Sequence, residues 1–359
     1  MKYLQNLRIG YVPYSDALDR PGDRRRFPYY ANRRGIHFEI ADSKKTYDLV
    51  ILSARADISV WSRYPGAKLV YDLIDSYLAI PQADLKGRLR GLFKFLSGQS
   101  RYLQLNHWKA IAGMCMRADV VVCSTQEQKN NIINFCPNVH LILDAHMGVT
   151  RTVKSDYGAH QPFRLVWEGL PQTLDSLELI RPVIDRLRYQ HPIEIHIITD
   201  REYFRYLGQF CKTSALKKAQ RIFPDVHFHE WNEVNCADII CSCDLAIIPL
   251  LLTDPFAAGK PENKLLLFWR MAMPVVTSAS PAYARAMQSA GMNFTAKNEV
   301  DWLAMLEQLV EDESLRRKAG TLGKAYVEHE FSEISLLARW DAVFESLGFC
   351  AEAQTAALL

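Results

Sequence analysis

The 359-residue chain has no run of about 18 apolar residues, so no segment reads as a membrane-spanning helix. Its opening, MKYLQNLRIGYV, lacks the apolar core of a secretory leader and runs directly into a strand pattern. None of its eight cysteines has C-x-x-C spacing, which argues against a zinc knuckle and fits reduced thiols in a cytosolic protein. Cys241 and Cys243 stand two apart, as if on one side of a strand. A net charge of +3 is too small to argue for nucleic acid, and no nucleic-acid recognition module is visible. One lack is local: no acidic residue occurs from Lys86 to Arg117. Basic residues there, Lys86, Arg88, Arg90 and Lys94 among them, alternate with Leu, Phe, Trp and Tyr. Such a stretch can lie in a membrane interface, with cations toward anionic headgroups.

What is present is ordinary globular material, 49% hydrophobic and 23% charged, at a length that favours two domains. Apolar runs of strand length recur at 7–14, 37–41, 47–53, 67–74, 118–124 and 139–149; 22–35 reads as a loop leading into a helix, and helical patterns lie between the strands, notably 84–117 and 125–135. Residues 150–162 are polar and aperiodic and read as a linker. The alternation restarts with strands at 163–169, 193–199, 226–231 and 244–250 and a buried PVVT strand from Pro274. Helices are expected over 173–190, 201–221, 233–242, 299–311, 313–330 and 332–347. Twofold β/α alternation implies an α/β chain with two doubly wound parallel sheets. Ligands on such sheets lie at the carboxyl ends of the strands, with a cleft between the halves as the default site.

Those strand ends nominate residues. The stretch KPENKLLLFWRMAMPVVTS brackets a helix start with Lys260 and Lys264, where free N–H groups and the helix dipole favour an anion. Glu262 and Asn263 lie between them. Gly169 follows a strand and lets backbone approach a phosphate, and Thr199 and Asp200 end another strand, within reach of a base or ribose. After the first strand comes RPGDRRRF, with Asp23, Arg24, Arg25 and Arg26. Guanidinium forks suit phosphates or an anionic acceptor. Asp72 and Asp75 close a further strand and are candidates for the base that activates an acceptor hydroxyl; helix capping is the alternative.

In order, FRLVWEG, IEIHIITD, VHFHEWN, CSCDLAIIPL, the KPENK segment and EDESLRRKAGTLGKAYVEHEFS resemble the donor-binding domain of GT-B glycosyltransferases of the family-4-like group. DAHMGV resembles that family's interdomain turn, and KLVYDLIDSYL its strand before a His-Asp pair. The resemblance is strong over about 144–347, while the first half matches only as a pattern. It implies a GT-B fold: an acceptor-side Rossmann-like domain over 1–150, a nucleotide-sugar donor domain over 151–335, and a last helix, 336–359, returning to the first domain. The implied activity moves a sugar from a nucleoside diphosphate to a hydroxyl of a glycan or glycolipid in building surface polysaccharide, lipopolysaccharide or capsule. No cofactor or metal is implied. The implied partners are a nucleotide sugar and a glycan or lipid-linked acceptor, at the inner face of the cytoplasmic membrane. The chain departs from the pattern at three places. The family's second donor-site carboxylate falls at Leu267, Ile74 stands where the histidine would be, and EGLPQTLDS lacks the diphosphate-gripping cation. A non-catalytic GT-B-like scaffold is the alternative these departures suggest. A nucleotide-sugar epimerase is weaker, since the paired carboxylates it needs are missing.

Overall fold

The structure is a computed structural model. It describes residues 2–81, 85–206 and 210–351, apart from the side chains of 85, 86, 88 and 206. The chain divides into two compact units, Met1–Ala145 with Glu333–Leu359, and His146–Ser332.

The first unit holds a parallel sheet of β1 (Ile9–Val12), β2 (Glu39–Ile40), β3 (Leu49–Leu52), β4 (Lys68–Asp72), β5 (Val120–Cys123) and β6 (Val139–Leu141), ordered β2-β1-β3-β4-β5-β6. Leu49–Leu52 and Val120–Cys123 are buried at every position, as strands covered on both faces must be. Around the sheet lie α1 (Pro21–Arg25), α2 (Phe27–Arg34), α3 (Leu85–Leu96), α4 (His107–Arg117) and, from the end of the chain, a helix over Glu333–Glu345. That last helix packs in this unit. Trp340 and Phe344 stack on Tyr30 at 5.9 and 5.3 Å between centroids, and Asp341 accepts a 2.9 Å hydrogen bond from the Tyr30 hydroxyl.

The second unit repeats the plan with β7 (Phe163–Glu168), β8 (Ile193–Thr199), β9 (His227–Glu230), β10 (Leu245–Ile248), β11 (Val275–Ser278) and β12 (Thr295–Ala296), ordered β9-β8-β7-β10-β11-β12. The chain starts at the centre, steps out to β9, then crosses to β10 on the other side. Strand order therefore reverses between β7 and β10 here, and between β1 and β3 in the first unit, the places where such sheets receive ligands. Ile193, Ile195 and Ile197 point into one core, which sends Glu194 and His196 to the opposite face.

Several local expectations change. Strands Glu202–Tyr206 and Phe210–Ser214 pair antiparallel, and helix begins only at Ala215. Tyr203, Phe204, Tyr206 and Phe210 are aromatics that suit paired strands better than a helix. The helix over 236–241 ends at Cys241, so Cys241 and Cys243 do not share a strand face. The 84–117 stretch is two helices, and the Asn106 side chain caps the second by accepting from the N–H groups of Trp108 and Lys109. Residues 150–162 are irregular but anchored within the second unit. Lys154 donates to the Cys241 and Cys243 carbonyls at 3.2 and 2.8 Å, and Tyr157 to the Ala272 carbonyl at 2.9 Å.

Candidate functional site

In the second unit the carboxyl end of β7 delivers Glu168 and Gly169 to the point where strand order reverses. A helix over Asn263–Arg270, α5, starts beside it and carries Lys264 in its first turn. The Lys264 ammonium lies over the Trp167 ring, 4.7 Å from its centroid, and fills the space a side chain at position 169 would need. A side chain there would displace the flexible lysine end and press on the Trp167 ring. Among the described residues Lys264 has no hydrogen-bond or ion-pair partner. Burial pushes its pKa down to about 8, the nearby charge of Glu168 opposing the shift and Lys260 adding to it. Glu262, just before the helix, is buried. From α6 (Pro281–Ser289) comes Tyr283, whose phenol is pushed far up by burial and by the neighbouring charges of Glu262 and Glu168.

Gly169, Glu262 and Lys264 are thus gathered at one edge, with Lys260 and Asn263 bordering it. Thr199 serves the same edge differently. Its buried hydroxyl donates a 2.6 Å hydrogen bond to the Gly169 carbonyl and holds that loop on β8, while Asp200 is exposed beyond it. Sequence reasoning missed Trp167, Glu168 and Tyr283. The first two were legible as the end of a strand beside a nominated glycine; Tyr283 carried no signal.

The first-unit candidates divide. Asp23 is wholly buried and accepts from the Tyr11 hydroxyl, Tyr14 N–H and Ser15 N–H at 2.8, 2.8 and 3.1 Å, which welds α1 to the end of β1. Arg26 is also buried. It meets Asp72 with two bonds of 2.6 Å and reaches Asp144 and the Ile142 carbonyl at 3.1 and 3.0 Å. Both Asp72 oxygens are therefore occupied, so in this arrangement the pair braces α2, β4 and the segment after β6. Arg24 and Arg25 sit half-buried in the last turn of α1. Asp75 is different: three residues past β4, it is half-exposed and hydrogen-bonded to the Tyr77 phenol, whose pKa is raised to about 12 by burial and then by Asp75 itself.

Helix α3 turns its apolar stripe outward, as the interfacial pattern expects, but turns Arg90 and Lys94 inward. Arg90 lies against the Tyr77 and Trp108 rings at 5.6 and 5.7 Å, and Lys94, near His107, has its pKa lowered to about 8 by burial. Added side-chain atoms at Gly87 and Gly91 would strike the Trp108 ring and the Gln104 carbonyl, so this face packs close. The outward stripe is Leu89, Leu92, Phe93 and Leu96, spaced i, i+3, i+4, i+7 and exposed, Leu96 at 69%. The Lys86 and Arg88 side chains lie outside the described residues.

No family model and no curated protein matches the chain. Solved structures do. An Anabaena protein, Alr3699/HepE, in complex with UDP-glucose aligns over 96% of this chain and 100% of its own, with TM-score 0.62 and 13% identity. WaaG, a glycosyltransferase involved in lipopolysaccharide biosynthesis, aligns over 95% and 100%, with TM-score 0.58 and 12% identity. TarM aligns over 82% of this chain, with TM-score 0.56 and 12% identity, but the chain spans only about half of TarM, 54%. The chain has the GT-B glycosyltransferase fold, built from two Rossmann-like units. At these identities the likeness establishes architecture, and the chemistry is argued from the residues.

Proposed function

We propose that the chain is a glycosyltransferase that moves a sugar from a nucleoside diphosphate to a hydroxyl of a glycan or glycolipid in surface polysaccharide biosynthesis. The observation that carries this is the half-buried Lys264 ammonium, resting on Trp167 and Gly169 at the strand reversal with no acidic partner in contact. A cation there meets charge developing on a leaving diphosphate. Glu262 and Glu168 are placed to accept from sugar or ribose hydroxyls. In the transfer, the bond from the anomeric carbon to the diphosphate oxygen breaks and one to the acceptor oxygen forms. Asp75 is the candidate to take the acceptor proton.

The test is nucleotide release from UDP-, GDP-, ADP-, CMP- and dTDP-sugars by the purified chain, with membrane extract supplying acceptor. One donor is expected to be consumed, and Asp75→Asn to slow it by about 10²–10⁴-fold with folding intact. A second reading, a GT-B scaffold without turnover, is favoured by Leu267, which is 2% exposed where the family pattern has a carboxylate. A chain that binds a nucleotide but releases none from any sugar would establish it.

The exposed stripe of α3 supports a companion proposal, peripheral contact with a membrane that carries the acceptor. Leu92→Asp with Phe93→Asp is expected to lower co-sedimentation with anionic phospholipid vesicles by at least about tenfold, each apolar side chain contributing about 1.5–3 kcal/mol when buried. Unchanged co-sedimentation would remove the membrane from the account.

A further inference from the structure

The second unit carries a side-chain cluster that the transfer chemistry does not use. Glu194 and His196 lie two apart on one face of β8, and His227 and His229 two apart on β9. The parallel register sets His227 beside His196. The His196 ring stacks on both, at 4.8 Å from His227 and 5.3 Å from His229 between centroids. The Glu194 carboxylate stands 3.5 Å from His196 Nε2 and 3.7 Å from His227 Nε2. One ligand atom from each of Glu194, His196 and His227 lies within 4.8 Å of the others.

We propose that Glu194, His196 and His227 form a binding site for a divalent transition-metal ion of the zinc class, with His229 orienting His196 from behind. Zinc–nitrogen and zinc–oxygen bonds near 2.0–2.2 Å place tetrahedral ligand atoms about 3.3–3.6 Å apart. The two distances to Glu194, from Oε2 to His196 and from Oε1 to His227, are already close to that. The remaining adjustment is a turn of His227 out of its stack, and His227 is exposed and able to make it.

The hydrogen bonds supply the second shell such a site needs. His196 Nδ1 and His229 Nε2 are 3.0 Å apart. When His196 donates there, its Nε2 lone pair faces the Glu194 carboxylate, an arrangement that a cation between them stabilises. A ligating imidazole commonly gives its other N–H to such a partner. The Arg164 guanidinium, 3.5 Å from Glu194, competes for the carboxylate and must yield part of it.

Position argues for a structural ion. His196 lies three residues before Thr199, roughly 10 Å along the strand from the edge that holds Gly169. The ion would fasten β9, the edge strand of the sheet, to β8.

The experiment titrates the full chain, stripped with chelator, with Co²⁺ and then Zn²⁺. One Co²⁺ per chain is expected, with visible ligand-field bands, no thiolate charge-transfer band, and displacement by Zn²⁺. His227→Ala is expected to weaken binding at least about 100-fold, and His229→Ala about 10–100-fold through lost orientation of His196. Glu194→Gln is the second ligand variant should His227→Ala fold poorly, and it too is expected to weaken binding. Absence of saturable binding below about 1 mM, affinity unchanged in the ligand variants, or a thiolate band would each overturn the proposal.

Discussion

Replacing Lys264 with methionine is expected to raise the melting midpoint of the unliganded chain and to abolish its stabilisation by the donor nucleotide. The gain arises because the folded chain holds the Lys264 pKa at about 8, below the ordinary 10.5, so the charged form is penalised by folding. Methionine keeps most of the volume and removes the charge. The gain is on the order of 1 kcal/mol, less than the whole shift implies, because the side chain keeps some exposure and gives up its contact with Trp167. It is full at and below about pH 8. The unfolded chain then binds the extra proton up to about pH 10.5, so wild-type stability rises through that window and the advantage of methionine fades. Nucleotide at about 100 times its dissociation constant adds roughly 2.7 kcal/mol to the wild type and nothing to the variant. Wild-type nucleotide affinity should also fall above about pH 8 as Lys264 loses its proton. Thermal melts from pH 7 to 10, with and without nucleotide, read all of these. A residue that lowers stability while enabling binding is what a functional position looks like.

The largest loss of stability is expected at Arg26→Met. That change leaves the Asp72 carboxylate buried without its bidentate partner and removes a contact from Asp144. Stranding a buried charge costs about 3–5 kcal/mol. In a unit of this size that lowers the melting midpoint by about 10 °C. Arg26→Met combined with Asp72→Leu should recover most of the loss, since a buried ion pair and a packed apolar pair are often of similar stability. If the single variant melts like wild type, the pair is not a brace, and Asp72 returns as a candidate base.

The same two sites show what could be read from sequence. Strands such as Leu49–Leu52 and Val120–Cys123 were legible because each is an unbroken apolar run between polar breaks. Lys264 and Gly169 were legible one at a time, from a helix start and a strand end. Their contact was not, because it depends on α5 packing beside β7, a tertiary fact. RPGDRRRF reads as a basic loop, yet Asp23 and Arg26 turn inward, and their partners Tyr11, Asp72 and Asp144 are scattered through the sequence. In α3 periodicity revealed an amphipathic helix but not which face turns out. Glycines at 87 and 91 decided that by letting the basic face approach Trp108 and Gln104. The histidine cluster was hidden for the same reason: each strand shows only half of it, and the register of β8 with β9 makes it whole.

Hydrogen–deuterium exchange with and without the best-stabilising nucleotide locates the diphosphate on the chain. New protection is expected at residues 168–170 and 260–266, with none of it in the Lys264→Met variant. Protection confined to other segments, or equal in the variant, would contradict the placement of the diphosphate at Lys264.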